Sequence, residues 1–156
     1  MTLEQDKAKG TCVDSHLPQQ LRIGRQPLTH LGRVLDAAFP EEGCALLLGR
    51  RQHAVWTLER IWPCLNVWMP PQERQRRFAI DPREQLLAQK WARSAGVEVL
   101  GSAHSHPCGE AVPSRTDRDL CFTPALMLIR GGGGELGCWW MEENDEPRPL
   151  EWKMVD

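Results

Sequence analysis

The short run Cys44-Ala45-Leu46-Leu47-Leu48-Gly49 sets the tightest limit on what this chain can fold into. It is too short for a helix of its own and too apolar for a surface strand, so it reads as a buried strand. The segment His53–Trp62 alternates and carries the β-prone Val55, Thr57 and Ile61, which makes it the hairpin partner. A central hairpin needs covering layers, and two helical patterns supply them. In the first, Pro27 opens a stripe of Leu28, Leu31, Leu35 and Ala38; Gly32 weakens it and Pro40 ends it. In the second, Asp81-Pro82-Arg83-Glu84 has the spacing of a capping box. Leu87, Ala88, Trp91, Ala92 and Ala95 then form the stripe, and Gly96 is the stop.

The remaining segments fit the same plan. Leu21–Ile23 reads as a short edge strand, Asn66–Arg77 as an exposed loop and Arg77–Ile80 as another strand. Val97–His104 is a strand, followed by a loop and a short helix near Thr116–Phe122. Ala125–Arg130, the turn Gly131–Gly134, Leu136–Met141 and Leu150–Met154 complete the pattern, the last two strands flanking an acidic loop at Glu142–Glu146. Strands paired as hairpins with two inserted helices predict an α+β fold, or α/β three-layer packing, rather than a doubly wound sheet.

Composition removes several functions. The chain has 156 residues, which suits one domain, with residues 1–20 a polar, disordered tail and residues 21–156 the folded part. Lys and Arg number 19 and Asp and Glu 21, for a formal charge of −2, so no basic field faces a nucleic acid. No apolar run approaches the ~18 residues of a membrane helix, and the first ten residues lack a signal peptide's apolar core, which predicts a soluble cytoplasmic protein. The six cysteines contain no C-x-x-C pair, and without a secretion signal they read as free thiols.

The chemistry concentrates in His104-Ser105-His106-Pro107, followed by Ser114 and Asp117. Two histidines at i and i+2 on a strand face the same way, within reach of one metal ion. Asp117 is the nearest carboxylate with a path to them. Two imidazoles and one carboxylate suit Zn²⁺ and leave its fourth position open, as catalytic sites do. Ser114-x-x-Asp117 also has capping-box spacing and on that reading merely starts a helix. The two readings are compatible, because a capped helix start holds a ligand rigidly. Cys108 lies close by in sequence, but the ligand set is complete without it. Ser105, on the opposite strand face, reads as structural.

The string His-Ser-His, seven residues, Ser, two residues, Asp resembles the signature of the JAMM (MPN+, JAB-domain) zinc metalloproteases, in their small prokaryotic stand-alone branch. That family also carries an upstream glutamate two residues before a Cys and seven before a Gly. Glu42 meets both offsets against Cys44 and Gly49, whereas Glu41 meets neither. The likeness runs from about Leu21 to the C-terminus and includes Arg77-Phe78-Ala79-Ile80-Asp81-Pro82 and Gly101. Ala45 and Ala103 depart from the pattern, replacing a Gly and an aromatic residue, and the second change is expected to alter the substrate groove.

The resemblance implies an MPN/JAB1-like, cytidine-deaminase-like mixed sheet flanked by helices. It implies one zinc per chain on His104, His106 and Asp117, with Glu42 as the proton carrier and Ser114 as the oxyanion donor. It further implies a metallopeptidase or isopeptidase that cuts after the Gly-Gly end of a ubiquitin-like or sulfur-carrier protein, with Asn66 a substrate contact beside the groove. A non-catalytic MPN scaffold is the alternative; such domains usually lack one or more of these residues. A zinc nucleoside deaminase is excluded, since that chemistry needs H-x-E and P-C-x-x-C. Oligomeric state is not legible.

Overall fold

The apolar run forms the start of strand β2 (Cys44–Gln52), and its first six residues are all buried. It lies at the centre of the molecule, antiparallel to β3 (Val55–Cys64) on one side and β4 (Glu98–Ser105) on the other. A bulge shifts the β2–β3 register between Leu48 and Gly49. A side chain at Gly49 would collide with the Thr57 carbonyl oxygen, so the close strand contact there requires glycine.

The computed structural model describes residues 17–156. Besides the three strands above it contains β1 (Gln20–Gly24), β5 (Ala125–Arg130), β6 (Leu136–Met141), β7 (Arg148–Pro149) and β8 (Glu151–Val155). The helices are α1 (Arg25–Asp36), α2 (Pro82–Ala95) and α3 (Arg115–Asp119). All eight strands join one sheet in the order β7-β6-β5-β4-β2-β3-β1-β8. β1 runs parallel to β3 and β8, β4 runs parallel to β5, and the other pairs are antiparallel. The sheet is therefore mixed, as expected for the α+β class.

Alternation divides the side chains between two layers. Leu31 and Leu35 of α1 pack with Leu21, Ile23, Leu47, Leu58, Leu100, Leu126 and Leu128 on one face. Trp56 and Trp140 meet edge to face in this core, with ring centroids 5.6 Å apart. Ala92 of α2 packs with Leu48, Val97 and Trp62 on the other face. Asp81 caps α2 by accepting the Arg83 N–H at 2.9 Å, and Gly96 ends it in the left-handed conformation at φ 71°.

Several local expectations change. Leu21–Ile23 is not an edge strand: β1 is an interior strand, covered by β8 arriving from the C-terminal end. Leu17–Gln20, assigned to the polar tail, are held to the body. Leu17 packs on the core, the Pro18 carbonyl accepts from Arg148, and the Gln19 and Gln20 amides donate to Ala54. The rest of that tail, with Cys12, lies outside the described residues. Arg77–Ile80 forms no ladder; its one backbone tie to the preceding loop is Val67 N–H to the Ala79 carbonyl, 2.9 Å. Leu87 and Ala95 are exposed, so α2 buries a narrower stripe, centred on Ala88 and Ala92. Glu84 does not close a capping box; its carboxylate accepts the Trp62 indole N–H at 2.8 Å.

Candidate metal centre

β4 ends by delivering its last residues into a tight cluster. Ser105 N–H donates to the Gly43 carbonyl at 3.0 Å, and His106 N–H donates to the Arg130 carbonyl at 2.8 Å. These bonds extend the sheet pairing past the strand end and fix both histidine backbones. His104 is fully buried, and the Phe78 ring stacks on its imidazole with centroids 4.3 Å apart and planes 20° from parallel. His106 Nδ1 lies 2.7 Å from the Glu110 carbonyl, which only accepts, so Nδ1 carries a proton. In the neutral ring this leaves the Nε2 lone pair facing the cluster.

Asp117 arrives from α3. Ser114 caps that helix: its Oγ accepts the Asp117 N–H at 3.1 Å, and its own N–H donates to Asp117 Oδ2 at 2.8 Å. The same Oδ2 lies 3.1 Å from His104 Nε2 and 3.4 Å from His106 Nε2, while the two Nε2 atoms are 3.0 Å apart. Asp117 thus closes the capping box of α3 and also brings its Oδ2 beside both histidine Nε2 atoms. Glu42, buried in the loop before β2, brings Oε1 to 3.8 Å from His106 Nε2. Its Oε2 and His104 Nδ1 are buried without a hydrogen-bond partner among the described residues.

The donor set fits a zinc ion. Metal–ligand distances of about 2.0–2.2 Å imply tetrahedral edges of about 3.3–3.6 Å; of the three separations here 3.4 Å lies in that range, and 3.0 and 3.1 Å are slightly shorter. With His106 neutral, protons alone satisfy the triangle poorly, because only His104 can then place a hydrogen inside it. A shared cation satisfies all three atoms. Glu42 joins the two histidines in a group whose ligating atoms all lie within 4.8 Å of one another.

Electrostatics divides the two carboxylates. Burial works against ionised Asp117, but its bonds to His104 and His106 outweigh that and hold it far below the usual carboxylate range. Glu42 is pushed up to about 8, first by burial and then by the Asp117 charge, with His106 partly offsetting both. Burial also lowers His104. For His106 burial is again the largest influence, but Asp117, the Glu110 carbonyl and Glu42 together raise it.

Asn66 does not point its amide into this cluster. Its Nδ2 donates to the Glu42 and Arg77 carbonyls at 3.0 and 2.9 Å, and its Oδ1 accepts the Trp68 and Ala79 amides. Cys108 is exposed and outside the group; the described cysteines are free thiols. Ala103 was expected to reshape the groove but is buried in the α1-face core, away from it. A cleft of about 510 Å³ does open beside Asp117, lined by Phe78, Ile80, Gly101, Thr116 and Phe122. The sequence reading missed the stacking role of Phe78. Its signal is an aromatic residue three positions before the N-cap Asp81 of α2.

A family model for prokaryotic homologs of the JAB domain matches residues 27–142, most of the chain. This chain belongs to that family. As a prokaryotic JAB-domain protein it is 31% identical to a desampylase of Haloferax volcanii over 102 residues, 65% of this chain and 70% of the relative. It is 37% identical to a probable TtuB-protein conjugate cleaving protease of Thermus thermophilus over 109 residues, covering 70% and 68%. A protein of Desulfitobacterium hafniense solved in solution matches with a TM-score of 0.78 at 29% identity, over 87% of this chain and 93% of that one. A JAB1/MPN domain protein from Archaeoglobus fulgidus shares the fold at a TM-score of 0.55 and 20% identity, covering 86% and 99%. The JAB-type mixed sheet expected from the motif is therefore the fold of this chain. Among the described residues of this JAB-domain protein, no helix is long and apolar enough to cross a membrane.

Proposed function

We propose that this chain is a zinc-dependent isopeptidase that hydrolyses the bond after a Gly-Gly terminus of a ubiquitin-like or sulfur-carrier protein. The observation that carries this reading is the convergence of His104, His106 and Asp117 on one point, with a buried Glu42 carboxyl beside them whose Oε2 has no hydrogen-bond partner among the described residues. Family membership and relatives named as desampylase and as a conjugate-cleaving protease support it.

His104, His106 and Asp117 would hold the metal. When bound, zinc supplies Lewis acidity that polarises the scissile carbonyl and acidifies water toward a pKa of ~7. Glu42 takes the proton from the attacking water and delivers it to the leaving amine. In the metal-free fold burial raises the proton affinity of Glu42, and a cation held by its neighbours would draw it back toward the ionised form that accepts a proton. Ser114 Oγ accepts the Asp117 N–H, so its own hydroxyl hydrogen is free to stabilise the developing oxyanion. Glycine on the substrate side lets the backbone approach this recessed cluster. A pure scaffold would leave the buried, unpartnered Glu42 Oε2 without a purpose.

The test is incubation with sulfur-carrier proteins extended past Gly-Gly, read by intact mass. Cleavage after the second glycine, abolished by a chelator and restored by zinc, is expected. A protein that binds no zinc at excess metal, or cleavage that survives chelation, overturns the proposal.

A further inference from the structure

The peptide bond joining Glu42 to Gly43 is held by a side chain on each of its two polar atoms. Its carbonyl oxygen accepts Asn66 Nδ2 at 3.0 Å, and its amide donates to Ser105 Oγ at 2.8 Å. The Glu42 amide, one bond earlier, donates to the Arg74 carbonyl at 2.7 Å. The two clamping residues come from different walls of the site. Ser105 sits between His104 and His106 at the end of β4 and is buried. Asn66 follows β3 and ties the loop together, accepting the Ala79 N–H at 3.2 Å next to the Phe78 that stacks on His104. Packing closes the third side: a Cβ on Gly43 would lie 2.6 Å from the Leu35 carbonyl oxygen of α1. A peptide unit with both polar atoms bound and no room for a side chain has little freedom to rotate, and the Glu42 carboxyl is anchored to it.

We propose that Ser105 and Asn66 are positioning residues that aim the Glu42 carboxyl at the metal centre. This rests on the reading of Glu42 as the proton carrier. Neither residue takes part in the proton transfer; each acts through the peptide that carries Glu42. It also gives Asn66 a task that its fully used amide can perform, in place of the substrate contact expected from the sequence.

The experiment compares Ser105→Ala, Ser105→Thr, Asn66→Asp and Glu42→Gln, with the doubles Glu42→Gln/Ser105→Ala and Glu42→Gln/Asn66→Asp. The probe is a sulfur-carrier protein whose Gly-Gly end is linked to the ε-amine of a fluorescent lysine peptide. Asn66→Asp keeps the acceptor oxygen and removes the donor to the Glu42 carbonyl. Small misplacements of a reacting group cost roughly 10- to 100-fold, so that loss of kcat is expected in Ser105→Ala and Asn66→Asp. KM and the zinc content stay at the wild-type value, and Ser105→Thr, which keeps the hydroxyl, recovers the rate. In Ser105→Ala the Gly43 amide, deprived of its acceptor, exchanges its hydrogen faster, a readout independent of turnover. In the Glu42→Gln background neither second change lowers the residual rate further.

Wild-type kcat in both Ser105→Ala and Asn66→Asp, with Glu42→Gln inactive, overturns the clamp and leaves the proposed function standing. A loss that follows zinc content, or that recurs in full in the Glu42→Gln background, also overturns it. Full activity of Glu42→Gln alone removes the proton-carrier reading and the clamp with it.

Discussion

The three central strands β3, β2 and β4 present very different surfaces to the two sides of the sheet. Toward α1 they offer Leu58, Ala45, Leu47 and Ala103, each at most 1% exposed, and the layer closes with Leu31 and Leu35. On the side of α2, β2 and β4 carry Leu46, Leu48, Ser102 and His104, and a cleft opens beside Asp117. The α1 face is an apolar layer whose one unpartnered buried polar atom among the described residues is Trp56 Nε1, whereas the site side buries Glu42 Oε2 and His104 Nδ1 without partners. Buried unsatisfied groups cost stability, so the first face holds up what the second needs for chemistry.

Four substitutions sharpen that contrast. The largest effect is expected from Glu42→Gln, which removes the proposed proton carrier and leaves the proposed metal donors; kcat/KM should fall by roughly 10²–10⁴ with zinc content unchanged. On the other face Leu128→Ala, at a position fully buried in the α1 layer, should cost about 2–5 kcal/mol and ~5–15 °C in Tm. The protein that remains folded should cleave at the wild-type rate. If Leu128→Ala instead lowered kcat at a temperature where the protein is folded, the division of labour between faces would be wrong.

The site face also predicts a pH dependence. Glu42 ionises near 4.5 in the unfolded chain but is held protonated until about 8 in the fold. The folded state thus binds the extra proton between those values. The contribution to stability is complete below the lower value and is lost as pH rises through about 8. Thermal melts of zinc-free protein should show Tm declining from pH 5 to pH 8.5. That component should be absent in Glu42→Gln, and an identical slope in both proteins would refute the assignment.

Smaller effects complete the series. Phe78→Ala takes away the ring stacked on His104, and zinc affinity by competition titration should weaken about 10-fold. Asp81→Ala removes the cap of α2 without removing any donor atom of the cluster, and should cost ~1 kcal/mol in a denaturant melt with no change in zinc affinity.

The parts of this architecture that were legible share one property, short range along the chain. His104 and His106 face one way because strands alternate, and Ser114 and Asp117 meet because a helix start brings N-cap and N3 together. The CALLLG strand and the Asp81–Gly96 helix carried their own boundaries. What could not be read depends on contacts between distant segments. Ser105 reaches Gly43 across 62 positions and Asn66 reaches Glu42 across 24. Neither spacing has any periodicity to betray it, and an asparagine in a polar loop looks the same whether it faces solvent or ties five backbone groups. Arg77–Ile80 misled for the reverse reason. Its composition suits a strand, but an asparagine side chain takes the amide that a ladder would have used.

The parallel pairing of β1 with β8 has a bearing on how the molecule is made. Gln20 lies beside Glu151 and Ile23 beside Met154, so the first described strand waits for the last one in the sequence. Every residue of the metal cluster is synthesised before β8 is, while one side of β1 still has an open row of amides and carbonyls. Until β8 docks, the β1 border is an open strand edge. Contacts of such long sequence separation form late and slowly. In that interval the β1 border is free to pair with other chains.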